Sequence, residues 1–145
     1  MVMPSDESSI AQVVESYRAS VYSKDVDAFA ALYRDDLRVF DMWGRWSYEG
    51  SESWRTMAED WFGSLGEERV DVKFEEVRTI IQGNLCVLHA FLRIRGTSAQ
   101  GEKLRTMSNR ITWALQKQRD GAWKILHEHT SAPADFETAK VMLQR

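Results

Sequence analysis

The sequence has a single cysteine, Cys86, so no disulfide can form within one chain. Its place inside the apolar run LCVLHAFL suits a small buried core residue. No apolar stretch approaches the length that spans a bilayer. The N-terminal MVMPSDESS lacks both the basic start and the apolar segment of a secretory signal. Basic residues are not gathered either: 19 Lys and Arg are interspersed with 22 Asp and Glu, for a net charge of −3. No stripe is left to follow a nucleic-acid backbone. Internal repeats and low-complexity tracts are also missing. The expectation is a cytoplasmic, soluble protein with neither nucleic acid nor membrane as partner.

What is present is core-forming material. Hydrophobic residues make up 43% of the chain and include six tryptophans. A chain of 145 residues is read as one domain, 1–145, that buries roughly 70% of its unfolded surface. Ile10, Val13, Val14, Tyr17 and Val21 fall at helical spacing, with Ser5 or Asp6 as cap. A second short helix is predicted from Val26 to Tyr33 behind Asp25, closed by RDD. LRVFDMW and GRWSYEG read as strands around a turn at Gly44. A third helix near Ser51 to Leu65 puts Trp54, Met57, Trp61 and Leu65 on one side. The rest reads as β. In VDVKFEEVRTII the apolar parity changes between Phe74 and Val77, which predicts a bulge near Glu75 and Glu76. LCVLHAFLRIRG, LRTMSNRITWALQ and AWKILHEHTS follow, the last two joined by a tight turn at RDG. Helices followed by sequential strands predict an α+β fold, an antiparallel sheet with the helices on one face. LCVLHAFL offers no polar face, so a second copy of the chain is expected to cover the outer side as a homodimer.

Within the last strand, parity alone puts Trp123, Ile125, His127 and His129 on one face and Lys124, Leu126, Glu128 and Thr130 on the other. The apolar pattern by itself draws both histidines inward. A metal held by His127 and His129, with His89 or a carboxylate as third ligand, is the sharper alternative; no metal or other cofactor is expected. Trp43 and Trp46 flank the turn after Asp41. Trp43 or Trp46 is a candidate flat wall for a ligand ring, Trp46 being taken as the binding residue, with core packing as the alternative.

Four segments carry a resemblance that covers nearly the whole chain: YSKDVDAFAALYRDD, VFD, YEGSESW and RDGAWKILHEHTSAP. With these the sequence resembles the nuclear-transport-factor-2-like superfamily. It is most similar to the SnoaL-like and ketosteroid-isomerase-like proteins, and also to the association domain of calcium/calmodulin-dependent protein kinase II. The resemblance implies a curved sheet wrapped around helices, a cone with a pocket at its open end. It also implies Tyr17 as hydrogen-bond donor and Asp41 as general base; the bland reading is a core tyrosine and a turn aspartate. The protonated acid that steroid isomerases carry on a later strand has no match, since TMSNRITW offers only Asn109 and Arg110. By likeness to the kinase domain, Arg93 in AFLRI and Arg110 are implied as pocket residues. Thr130 is implied to face inward, which turns Glu128 inward and both histidines out. A buried Glu128 would need a cation, and Arg110 is the natural partner, for a ligand or simply for each other. The implied function is binding of an anionic or carbonyl-bearing small molecule, with isomerase, cyclase or dehydratase chemistry. The alternative is a non-catalytic oligomerisation or ligand-sensing module.

Overall fold

The computed structural model describes residues 3–145. Helix α1, Asp6–Ser23, starts where the Ser5 hydroxyl accepts the Ser8 amide at 3.1 Å, with Asp6 and Glu7 in a first turn that favours negative charge. Its buried residues include the predicted stripe from Ile10 to Val21. Asp25 then caps α2, Val26–Ala30, by accepting the Ala28 amide at 3.0 Å.

The predicted end of the second helix at Tyr33, and the turn at RDD, are corrected: β1 runs Tyr33–Phe40. Long-range pairing decides the matter, because Tyr33 lies opposite Ile125 and the Ile125 amide donates to the Leu32 carbonyl at 2.8 Å. A two-residue strand, β2 (Tyr48–Glu49), leads to α3, Ser51–Ser64. Gly50 makes the change of direction between them at φ 86°, a conformation that costs a glycine little. Helix α3 buries Trp54, Ala58 and Phe62, with Met57, Trp61 and Leu65 partly buried beside them.

Four long strands complete the chain: β3 (Arg69–Gln82), β4 (Leu85–Thr97), β5 (Lys103–Lys117) and β6 (Trp123–Ser131). The sheet order is β2-β1-β6-β5-β4-β3. Neighbours are antiparallel except β1 and β6, which run parallel. Helix α1 touches both β3 and β6, which flank β4 and β5, so the sheet curves around it without closing. The fold is therefore the α+β cone that the sequence implied. Among the described residues no helix is long and apolar enough to cross a membrane.

Two bulges set which side chains face in. In β3 the pairing slips between Glu75 and Arg78, and Glu76 takes φ 54°, where the change of apolar parity put it. In β6, Leu115 lies opposite Ile125 but Ala114 lies opposite His127, so Leu126 is the extra residue. Trp123, Ile125, Glu128 and Thr130 are consequently all buried on the concave side, whereas His129 is exposed. In β4, Cys86, Leu88, Ala90 and Leu92 are buried; Val87 and His89 face the outside.

Candidate functional site

The concave face of β5 and β6 carries polar groups in steps. Trp113 is paired with Glu128, and Ile111 with Thr130. Asn109 follows on β5 beyond the point where β6 ends, opposite Leu92 of β4. On β1 the inward series Leu37 and Val39 continues to Asp41, just past the strand's end. Asp41, Asn109, Glu128 and Thr130 share a cavity of about 640 Å³. Its walls are mainly apolar and aromatic, with Phe29, Trp54, Met57 and Trp61 from the helices and Leu92 and Ile94 from β4. Trp43 and Arg105 stand at the mouth, and Arg105 is engaged with Glu68 at 2.6 Å.

Glu128 is 2% exposed. Its Oε1 accepts two neutral donors, the Tyr33 hydroxyl at 2.6 Å and the Trp113 indole at 2.8 Å. Burial pushes its carboxyl up to about 7, against the downward pull of those two hydrogen bonds. Asp41 is half-buried, and its Oδ1 accepts from Thr130 Oγ1 at 2.9 Å while the Met42 amide donates to the same hydroxyl at 2.9 Å. The Thr130 hydroxyl is thereby fixed as donor to Asp41. Burial raises the Asp41 carboxyl above the ordinary aspartate range, partly offset by Thr130 and by backbone amides at Trp43 and Met42. Tyr17 lines the same cavity, and among the described residues its hydroxyl has no hydrogen-bond partner. Burial, then the nearby Glu128 and Asp41 charges, hold its phenol well above the usual tyrosine range, so it stays a neutral donor.

Tyr17, Asp41, Glu128 and Thr130 thus line one cavity, and the remaining predicted site residues lie elsewhere. Arg93 is on the convex face, 3.5 Å from Glu75, and corrects the expectation of a pocket arginine. Arg110 is also outside: β5 turns Asn109, Ile111 and Trp113 inward, so Arg110 stays exposed and donates to Ser131 Oγ at 3.1 Å. The expected Arg110–Glu128 pair is therefore corrected to a carboxyl held by a phenol and an indole. A guanidinium left in water avoids the desolvation that a buried pair would incur. Trp46 is 97% exposed and does not line this cavity; Trp43, on the same turn, does, at the mouth. His127 and His129 pack edge-on against Phe40 on the outer face, and His127 Nδ1 lies 2.7 Å from the Arg38 carbonyl. Among the described residues no three His, Cys, Asp or Glu side chains come together as metal ligands would.

Asn109 and Trp54 line the cavity and Tyr33 holds Glu128 from behind its wall, and none of the three is among the expected site residues. Tyr33 was hidden in an assumed helix end. Asn109 is the wrong type for an acid, but its inward parity with Ile111 and Trp113 is a usable signal. Trp54 was recognised only as a helix-face residue.

An open, curved sheet around three helices, with two shifted carboxyls inside, defines an NTF2-like cone with an acidic interior. More narrowly, the chain belongs to the SnoaL-like domain family, which matches residues 10–135. Among solved structures, it is similar to an NTF2-like protein of unknown function from Pseudomonas putida KT2440, at 26% identity over 96% of this chain and 94% of that one, TM-score 0.84. Aln2 from a Streptomyces species shares the fold at 16% identity, with 90% and 93% of the two chains covered and TM-score 0.75. ActVI-ORFA from Streptomyces coelicolor does so at 10% identity, with 86% and 95% covered and TM-score 0.77. No curated protein matches the sequence.

Proposed function

We propose that the protein binds a neutral, carbonyl-bearing ring compound and moves a proton from the carbon beside that carbonyl, with Asp41 as base. The observation that carries this reading is the placement of Asp41, fixed by Thr130, beside the Tyr17 hydroxyl and the Glu128 carboxyl, which burial pushes up to about 7, around one apolar cavity. Two carboxyls whose surroundings separate their proton affinities can serve as base and acid together. Asp41 takes the α-proton, and the C–H electron pair becomes a C=C bond. The carbonyl pair moves onto oxygen, where Tyr17 donates a hydrogen bond. Isomerisation, aldol cyclisation and dehydration all begin with this step.

The location of Arg93 and Arg110 outside the cavity favours the carbonyl-bearing ligand over the anionic one, since Arg105, the one basic residue lining it among the described residues, is engaged with Glu68. The test uses 2-tetralone, a two-ring ketone with acidic α-hydrogens. Wild-type protein should exchange those hydrogens for deuterium, followed by NMR, well above the buffer rate. A rate equal to buffer ends the reading.

A second copy of the chain is proposed as the cover of the convex face. There Ile80, paired with Val87 across β3 and β4, is 64% exposed and Val87 is 42% exposed. Sedimentation equilibrium should give a dimer for the wild type and a monomer for Ile80→Asp. A monomeric wild type at micromolar concentration contradicts the pairing.

A further inference from the structure

Strand β6 ends at Ser131, opposite Arg110, yet β5 starts at Lys103. Residues 103–109 of β5 therefore have no β6 neighbour, and such an edge presents unpaired backbone groups. The chain returns to this edge after β6. The Ser108 amide donates to the Leu143 carbonyl at 2.7 Å, and Gln144 Nε2 donates to the Thr106 carbonyl at 2.8 Å. Leu143 and Gln144 thereby become part of the cavity wall.

The returning segment holds its own shape. Ala134 pairs antiparallel with Val141, the Asp135 amide donates to the Lys140 carbonyl at 2.8 Å, and the Met142 amide to the Pro133 carbonyl at 2.8 Å. In the turn, Asp135 Oδ1 accepts the Glu137 and Thr138 amides at 3.0 and 2.9 Å. All of these bonds lie within residues 133–142, so this hairpin does not lean on the sheet for its form. It also buries little, with Phe136, Val141 and Met142 all exposed. The family match, residues 10–135, does not reach its second arm.

The far end of the segment is clipped to the convex face. The Arg145 guanidinium lies 3.7 Å over the Phe91 ring, pairs with Glu76, and has Glu75 at 3.9 Å. Glu76 is the left-handed residue of the β3 bulge. Both side chains of the Arg145–Glu76 pair are exposed, and an exposed ion pair is weak and screened by salt. Among the described residues, the polar contacts that tie this segment to the sheet are the two hydrogen bonds on β5 and this clip. Contacts so few and so exposed can release without unfolding the rest.

We propose that residues 133–145 form a strap that swings off the β5 edge to admit the ligand. It returns to close the wall with Leu143 and Gln144, and Arg145 is its latch. The strap requires the cavity but not the proton transfer, so a failure of deuterium exchange would leave it standing.

The experiment reads amide hydrogen exchange by NMR, together with stopped-flow uptake of N-phenyl-1-naphthylamine, a neutral dye that fluoresces once out of water. In the wild type the Ser108 amide should exchange at least about tenfold faster than that of Trp113, which lies in the paired middle of the same strand. Saturating dye should slow Ser108, because a ligand that touches the closed strap shifts the population toward it. Arg145→Glu sets a carboxylate against Glu75 and Glu76. It should speed both Ser108 exchange and dye entry about tenfold, with the melting temperature unchanged. Adding Glu76→Arg to that variant restores an opposite-charge pair and should return both rates toward the wild type. Ser108 as slow as Trp113 in the wild type and in Arg145→Glu overturns the proposal. So does dye entry that Arg145→Glu leaves unchanged, a cavity that takes up no dye in either protein, or an effect that Glu76→Arg does not reverse.

Discussion

Asp41→Asn is expected to slow α-deuterium exchange of 2-tetralone by about 10²–10⁴-fold, the range that positioned general bases supply. The substitution keeps shape and one acceptor oxygen, so Thr130 can still donate and the affinity for the ketone should change little. A loss in rate without a loss in binding is the mark of a group that acts only as the proton leaves carbon. The rate should also depend on pH in a defined direction. Burial raises the Asp41 carboxyl, so the basic form, and with it the rate, should grow in above the pH at which an exposed aspartate ionises. An exchange rate in Asp41→Asn equal to that of the wild type would remove Asp41 from the chemistry, whatever the cavity binds.

The legibility of this protein followed the range of the forces involved. Ser5 and Asp25 could be read as helix starts because capping is local to one turn. The end of α2 could not, because Tyr33 is claimed for β1 by Ile125 from the far end of the chain. The two parity assignments of the last strand were each half right. Trp123 and Ile125 face inward, as the apolar pattern required; Glu128 and Thr130 do too, as the resemblance implied. The extra residue at Leu126 reconciles them, and a strict period of two cannot express it.

The arginines failed for a different reason. Alternation correctly grouped Arg93 with Val87, His89 and Phe91, but LCVLHAFL is apolar on both faces, so nothing in the pattern said which group lay inside. The fold itself was legible because it depends on the order of elements and their amphipathic faces. The site was legible only where likeness supplied a direction, at Tyr17, Asp41 and Thr130. Tyr33 needed the structure, since what matters about it is the Glu128 carboxyl that it holds.

Glu128→Gln should make the protein more stable at alkaline pH and leave it almost unchanged at acidic pH. In the fold the Glu128 carboxyl is raised from 4.5 to about 7, so the native state keeps a proton that the unfolded chain releases in between. Stability from this group is complete below the unfolded value of 4.5 and is lost as pH rises through about 7. At 1.36 kcal/mol per unit, the loss across that window is roughly 3 kcal/mol. Glutamine has the same shape and still offers an oxygen to the Tyr33 hydroxyl and the Trp113 indole, but it has no charge to bury. Denaturant midpoints measured from pH 5 to pH 8 should therefore diverge, with the glutamine variant ahead by up to about that amount at the alkaline end. Other titrating groups, Asp41 among them, are common to both proteins and largely cancel in the difference. Glu128→Ala serves as the contrast: it strands two buried donors and should destabilise at every pH, by about 1–3 kcal/mol for each. Parallel pH profiles for wild type and Glu128→Gln would mean that the carboxyl is already ionised in the fold at neutral pH. A charge would then sit where the proposed mechanism needs a proton, and the division of labour between the two carboxyls would fail with it.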